Sequence, residues 1–336
     1  MARREERDTP SAALSRREFL RRVGATAAVA AGATALGIAL HDPRSGREYF
    51  APRQEALEVP SFRVERPAGA VEMVVVHGQD IERMVRAALQ EMGGIEQFIK
   101  KGDVVFIKPN VAFDRPPALG ATTHPEVLKA VARLCLEAGA KEVLVADNPI
   151  NQPEGCFFKT GIQRAAEEVG ARLLYPKPDL FRPVAIHGEV LGVWPMFYEP
   201  IRRATKVIGI APCKDHNLCS ASMTMKNWYG LLGGTRNQFH QRIHGIVADF
   251  AHMMKPTLVV LDATRILMRN GPTGGSLDDV KPGQTLVVGT DMVAVDAFGY
   301  TLLERDPAQL EYLQKATQRG LGNWRWRELP WREITA

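Results

Sequence analysis

The strongest constraint on this chain is a repeated alternation, from residue 71 onward, of short β-type runs with amphipathic helical stretches. VEMVVVHG (71–78) reads as a strand, residues 80–92 as a helix, and VVFIKPN (104–110) as a second strand ending at Pro109. Residues 125–138 predict a helix with Pro125 in its first turn and Gly139 just past its end, the asymmetry that helix termini impose. Strands are expected at 141–146 and 171–174 with a helix at 160–169 between them. Further strands follow at 257–261, delivering Asp262 at its end, and at 285–289, with Asp291 capping the next helix. Pro307 opens a last helix that Gly320 and Gly322 stop. Strands joined by helices of this length run parallel, because a parallel pair needs a long crossover. The expected class is α/β: a mostly parallel sheet with helices on both faces. Residues 181–203 carry Pro183, Gly188, Gly192, Pro195 and Pro200 and read as a short inserted β region, with room for a second, smaller lobe.

The two ends of the chain stand outside this pattern. Ser15-Arg16-Arg17-Glu18-Phe19-Leu20 precedes an uncharged run, 23–40, built mainly of Ala, Gly and Thr. This is the pattern of a twin-arginine export signal over residues 1–40; the alternative is a plain transmembrane anchor, which the weakly apolar Ala/Gly run disfavours. Ala33-Thr34-Ala35 is the best small-x-small cleavage match. The expected location is periplasmic or extracytoplasmic, with membrane attachment only through an uncleaved signal. Residues 41–70, rich in Pro, Arg and Glu and lacking periodicity, read as a linker. The domain is expected over 71–322. The tail, 323–336, holds three of the five tryptophans, and alternation at Trp324 and Trp326 suggests an edge strand.

Charge narrows the class of partner. The chain has 43 Lys+Arg against 38 Asp+Glu, and residues 1–40 contribute seven Arg and four acids, leaving 36 against 34. A body at +2 offers no nucleic-acid surface. Four cysteines are too few for a disulfide scaffold; Cys213 and Cys219 could pair, and Cys135 falls in a helical apolar pattern. No C-x2-C-x2-C run is present, so no iron–sulfur cluster is expected from this chain's own cysteines. GxSxG, GxGxxG and Walker A motifs are also absent.

Chemistry concentrates in residues 205–249. A β-type run, 206–210, is expected to stop at Ala211-Pro212 and release Lys214, Asp215 and His216 between the two cysteines. Lys226, Asn227, Gly233-Gly234, Arg236, His240 and His244 then follow. The glycine pair leads into an expected helix over 237–254, and a Gly-rich approach to a helix N-terminus suits an anion. Open α/β sheets place ligands at strand C-terminal ends, which puts Lys108-Pro109-Asn110, Asp147-Asn148 and Asp262 on one rim. Thr122-Thr123-His124 precedes a helix, where a threonine serves as cap or His124 as ligand or acid/base. His240 and His244 lie four residues apart, a spacing open to metal ligation, anion binding or a structural border role.

In combination these stretches resemble the domain of unknown function 362 family. The resemblance rests on IKPN (107–110), TTHPEVLKAVARLCLEAGAKEVLVAD (122–147), KDH (214–216), MTMKNWYG (223–230), HGIVADF (244–250), LDA (261–263), NGPTGG (270–275) and GTDMVAVDAFGY (289–300). It implies an α/β domain without an assigned activity, carrying Lys108, Asn110, His124, Lys214, His216, Lys226, Asn227, His244, Asp262, Asp291 and Asp296. Some relatives are joined to ferredoxin modules, which implies a redox setting. The expectation is an exported, enzyme-like protein binding an anionic small molecule or a metal–anion pair, with His216, Lys226 and His244 in catalytic roles. Lys108, Asn110, His124, Lys214, Asn227, Arg236 and Asp262 would bind the ligand. A metal ion, with His216, His240 and His244 as candidate ligands, is the open cofactor. The alternative is a non-catalytic metal or cofactor carrier, or an accessory of a membrane redox complex with a redox partner protein.

Overall fold

Strands buried on both faces have to be apolar along their whole length, and the runs MVVVH, VVFIK and EVLVA satisfy that requirement. The computed structural model describes residues 15–40 and 55–336. The N-terminal unit contains one helix, α1 (Arg16–Leu40). Among the described residues no helix is long and apolar enough to cross a membrane.

The second unit begins its regular structure with β1 (Met73–His77), α2 (Ile81–Glu91), β2 (Val104–Lys108), α3 (Pro125–Glu137) and β3 (Glu142–Ala146). α4 (Pro153–Lys159), α5 (Ile162–Glu168) and β4 (Arg172–Leu174) complete this half. A hairpin follows, β5 (Phe181–Ala185) and β6 (Val193–Phe197), then α6 (Glu199–Arg203). The second half comprises β7 (Lys206–His216), β8 (Ser220–Ser222), α7 (Thr224–Asn227), α8 (Ile243–Met253), β9 (Leu258–Leu267) and β10 (Val280–Gly289). It closes with α9 (Met292–Leu302), α10 (Glu311–Gln318) and β11 (Trp331–Thr335).

The main sheet runs β11-β1-β10-β9-β7-β2-β3-β4, with β8 paired to β7. β9, β7, β2, β3 and β4 are mutually parallel, while β10 is antiparallel to both its neighbours, β1 and β9. The fold is therefore α/β with a mostly parallel mixed sheet. Period-two alternation sends Met73, Val75, Phe106, Val207, Val259 and Leu261 into one core. Val74, Val76, Val105, Ile107, Ile208 and Ile210 enter the other, against α2, α3 and α5.

Several expected elements differ. β7 does not stop at Ala211-Pro212 but continues to His216, because residues 214–216 pair antiparallel with β8. Pro212 marks the place where the β7–β9 register shifts, since it lacks the N–H that a regular ladder needs. β9 likewise runs beyond Asp262, which lies inside the strand rather than at its end. Residues 236–242 form 3-10 turns and only Ile243–Met253 is α-helical, so no long helix opens directly after the glycine pair. The helix expected at 160–169 is α5, and a further short helix, α4, precedes it across Gly161 at positive φ. The hairpin β5–β6 forms its own two-stranded sheet.

Residues 55–70 are not a loose linker. Leu57 bridges to β5, and Phe62 is buried and hydrogen-bonded through its N–H to the Lys255 carbonyl. The remainder of the proposed linker, 41–54, and of the proposed signal, 1–14, lies outside the described residues. The edge strand of the tail is β11, parallel to β1, and not the Trp324–Trp326 stretch. Trp326 instead packs edge-on against Phe298 and Trp331. All four cysteines are buried free thiols. Cys213 donates to the Gly299 carbonyl and Cys219 to that of Ala221, so the Cys213–Cys219 pairing that the sequence left open is not made.

Candidate functional site

The C-terminal ends of β2 and β7 carry Lys108 and Lys214, and the single turn α7 sets Lys226 and Asn227 beside them. That turn is held by Asp296 of α9, whose carboxylate accepts the Thr224 N–H (2.7 Å), the Thr224 hydroxyl and the Met225 N–H (3.0 Å). Burial pushes the Asp296 carboxyl up to about 7, against these hydrogen bonds. In β7 the side chains alternate, so Lys214 and His216 share a face while Asp215 turns away to Arg305 (2.7 Å) and the Gly271 N–H (3.0 Å). Gly271 is required there: an added Cβ would sit 1.9 Å from the Asp215 carbonyl oxygen.

The three lysines are not equivalent. Lys108 is wholly buried and uses all three of its donors, to Asp147 (2.6 Å), Asn227 Oδ1 (3.0 Å) and the Pro109 carbonyl (2.9 Å). Asn227 is also saturated: its amide donates to the carbonyls of Lys108 (3.1 Å) and Ile210 (3.2 Å), and its oxygen also accepts from Asn110 (3.2 Å). Gly230 closes this knot, because a Cβ would come within 2.2 Å of Asp147 Oδ1 and 2.7 Å of Lys108 Nζ. Lys214 donates to the Ala121 carbonyl, stands 3.5 Å from Asn110 Oδ1 and lies 5.1 Å from the Phe113 ring. Burial, then Lys226 and Lys108, push its ammonium down to about 7.

Lys226 has no hydrogen-bond or carboxylate partner among the described residues. It is only 9% exposed, lies 5.0 Å from the Tyr229 ring, and is pushed below its ordinary range by burial. An ammonium this deeply placed without a counter-charge is costly. His216 accepts the Leu218 N–H on Nδ1 (3.1 Å), which puts its proton on Nε2. Burial and the charges of Lys226 and Lys214 depress it to about 2, so it is a neutral donor at physiological pH. Arg236 extends the positive field: its guanidinium donates to the carbonyls of Leu232 (3.1 Å), Asn148 (2.9 Å) and Pro149 (3.0 Å) and lies 5.6 Å from the Tyr229 ring. Asp147 pairs directly with Lys108, and its charge also reaches Lys214 and Arg236. The groups with donors left for a ligand are Lys226, Lys214 and His216 Nε2.

Other expected residues fall elsewhere. His124 is itself the N-cap of α3, accepting the Glu126 N–H on Nδ1 (3.1 Å), while Thr123 ties the Asn110 N–H (2.8 Å) to the Ile210 carbonyl (2.8 Å). Burial and Arg265 lower the His124 imidazole. Asp262 accepts the His124 N–H (2.7 Å) and the N–H and hydroxyl of Thr264, so its oxygens are committed to local structure. His244 faces α10, 3.8 Å from Glu311 and stacked on Tyr312, and does not join the lysines. His240 lies tilted against the Tyr229 ring, 5.7 Å between centroids, and its Nδ1 meets the Asn237 carbonyl (2.9 Å). Among the described residues no three His, Cys, Asp or Glu side chains gather as a metal-holding group, so His216, His240 and His244 are not assembled into one. Asp291 caps α9 through the N–H groups of Val293 and Ala294. Sequence reasoning passed over Asp147 as a site residue, although the strand-end rule points to it. It missed Tyr229 altogether, which carries no sequence signal beyond its place in the NWYG run.

The profile of the family described as Domain of unknown function (DUF362) matches residues 105–301. Among curated proteins, the chain is similar to the Thylakoid-associated protein sll1697 of Synechocystis sp. The two are 24% identical over 252 residues, covering 70% of this chain and 74% of that protein.

Proposed function

This chain belongs to the DUF362 family, and from that premise we propose that it binds an anionic small molecule at the Lys226–Lys214–His216 face and acts on it as an enzyme. The observation that carries this reading is the buried, uncompensated ammonium of Lys226 beside two further lysines that share a single carboxylate. Three roles follow from the chemistry. Lys226 supplies positive charge where negative charge gathers. Lys214, held near neutrality, exchanges a proton with the bound anion. His216 donates from Nε2 as a neutral imidazole and is too depressed to shuttle protons, which replaces the acid/base role expected of it from sequence.

Titration calorimetry with inorganic phosphate and with oxalate tests the reading. Wild-type protein should bind one of them stoichiometrically, and Lys226→Met should lose that binding while keeping its unfolding temperature. Unchanged affinity in the variant would remove the proposal.

We further propose that Arg16-Arg17 and the run that follows direct export by the twin-arginine route. A reporter carrying residues 1–40 should be exported, and the Arg16→Lys, Arg17→Lys pair should leave it in the cytoplasm. A second functional reading, an accessory or carrier at a membrane redox complex, draws on the relative's name, which says thylakoid-associated. A stoichiometric metal without turnover, in protein purified after export, would favour it.

A further inference from the structure

A second concavity opens beside the lysine cluster, at the C-terminal ends of β3 and β4, with a volume of about 520 Å³. About half of its wall is apolar, the rest being formed by Asn148, the glycine pair, Thr235, Arg236 and Asn237. Pro149, Pro176, Pro178 and Pro195 contribute no N–H groups, and Phe181 and Ile150 add apolar surface. Ile150 is 58% exposed at the rim, an apolar side chain left facing water. The glycine pair belongs to the wall: a Cβ on Gly233 would meet the Phe181 ring at 2.6 Å, and Gly234 holds φ +58°.

The inner wall is charged. Arg236 lines the cleft, and both its guanidinium and the Lys226 ammonium contact the ring of Tyr229, at 5.6 and 5.0 Å. Asn148, also in the wall, donates its N–H to Asp147 (3.0 Å), the partner of Lys108. The cleft and the cationic cluster are therefore separated by one aromatic ring and one arginine. Arg236 makes no ion pair among the described residues, and because its guanidinium already donates to the Leu232, Asn148 and Pro149 carbonyls, what it offers an incoming anion is charge rather than free donors.

We infer that this cleft receives the apolar body of an amphipathic anion, a flat aromatic or short hydrocarbon carboxylate or phosphate whose charged end lies against Arg236, in a positive field that Lys226 reinforces from behind the Tyr229 ring. The inference rests on the anion-binding reading above and names the class of molecule bound. A volume in the ordinary range for small-molecule sites, a proline- and Phe181-lined apolar wall and a cationic inner end are the features such a ligand requires.

Competition between 2-naphthoate, acetate and the neutral 2-naphthalenemethanol, read by calorimetry on the full chain, tests it. Naphthoate should bind at least about tenfold tighter than acetate, the gain expected from burying a few apolar carbons. The neutral alcohol should bind more weakly than naphthoate. In Ile150→Asp, a surface change that spares the core, the preference for naphthoate over acetate should collapse toward unity. If acetate or phosphate binds and naphthoate gains nothing, the cleft assignment fails while the anion site stands. If the alcohol binds as well as naphthoate, or Ile150→Asp keeps the preference, the assignment also fails. If no anion binds at all, the anion site fails and this inference fails with it.

Discussion

Lys108 and Lys226 are the same residue type and both are buried, yet their surroundings are opposite. Around Lys108 every donor meets an acceptor, one of them a carboxylate at 2.6 Å, and a glycine is reserved to let the knot close. Around Lys226 the protein supplies only the face of Tyr229 and further positive charge. A satisfied buried ion pair holds strands in register, whereas an unsatisfied one is strain that a ligand relieves. Burial alone therefore does not mark a functional lysine; the number of donors left unfilled does.

The sharpest way to break this contrast is at Asp147. Asp147→Ala should cost about 3–5 kcal/mol in chemical denaturation, because it strands the Lys108 charge in the core. A loss below about 1 kcal/mol would show that Lys108 is not held as an ion pair. Lys226→Met should do the reverse, leaving denaturation midpoints unchanged or higher while phosphate or oxalate affinity falls roughly a hundredfold, about 2.7 kcal/mol. Gly230→Ala should then destabilise by about 1–3 kcal/mol, since its methyl group would enter the Lys108–Asp147 contact.

The titration of the two sides gives a finer test. Asp296, raised to about 7 in the folded state, adds stability at acid pH that is lost as pH climbs from about 4 through 7, because the native protein holds a proton the unfolded chain has released. Lys214, lowered to about 7, acts in the opposite sense: the unfolded chain binds more protons between about 7 and 10.5, so stability recovers with rising pH. Together they put a shallow minimum near neutrality in the stability–pH curve. Asp296→Asn should flatten its acid limb and Lys214→Met its alkaline limb, and an unaltered curve in either variant would count against these shifts. Anion affinity should also weaken above about pH 7 as Lys214 loses its proton. The smallest effect is expected at His244→Ala, with less than about a twofold change in anion affinity, because this imidazole faces Glu311 rather than the lysines.

Much of this was legible beforehand. Strand and helix periodicities located β1, β2, β3 and α3 to within a residue or two, and the strand-end rule put Lys108 and Asp147 on the same rim of the sheet, where they pair. Histidines misled, because spacing along a helix says which side chains share a face but not what that face meets. His240 and His244 meet Tyr229 and α10. The extension of β7 through KDH was hidden because Pro212 reads as a terminator, yet pairing with β8 beyond it keeps the strand going.

By itself, then, the sequence determined which stretches are strands and helices, that the sheet is mostly parallel, and which residue types crowd the chain between 205 and 249. These follow from local propensity and periodicity, which act within a few residues. Only the tertiary structure decided that Asp147 neutralises Lys108 and not Lys226, that Asp296 clamps the turn presenting Lys226, and that a proline-walled cleft lies behind Arg236. Those outcomes depend on contacts between residues tens to hundreds of positions apart, where packing and the cost of burying charge choose partners that neighbours in the chain cannot foretell.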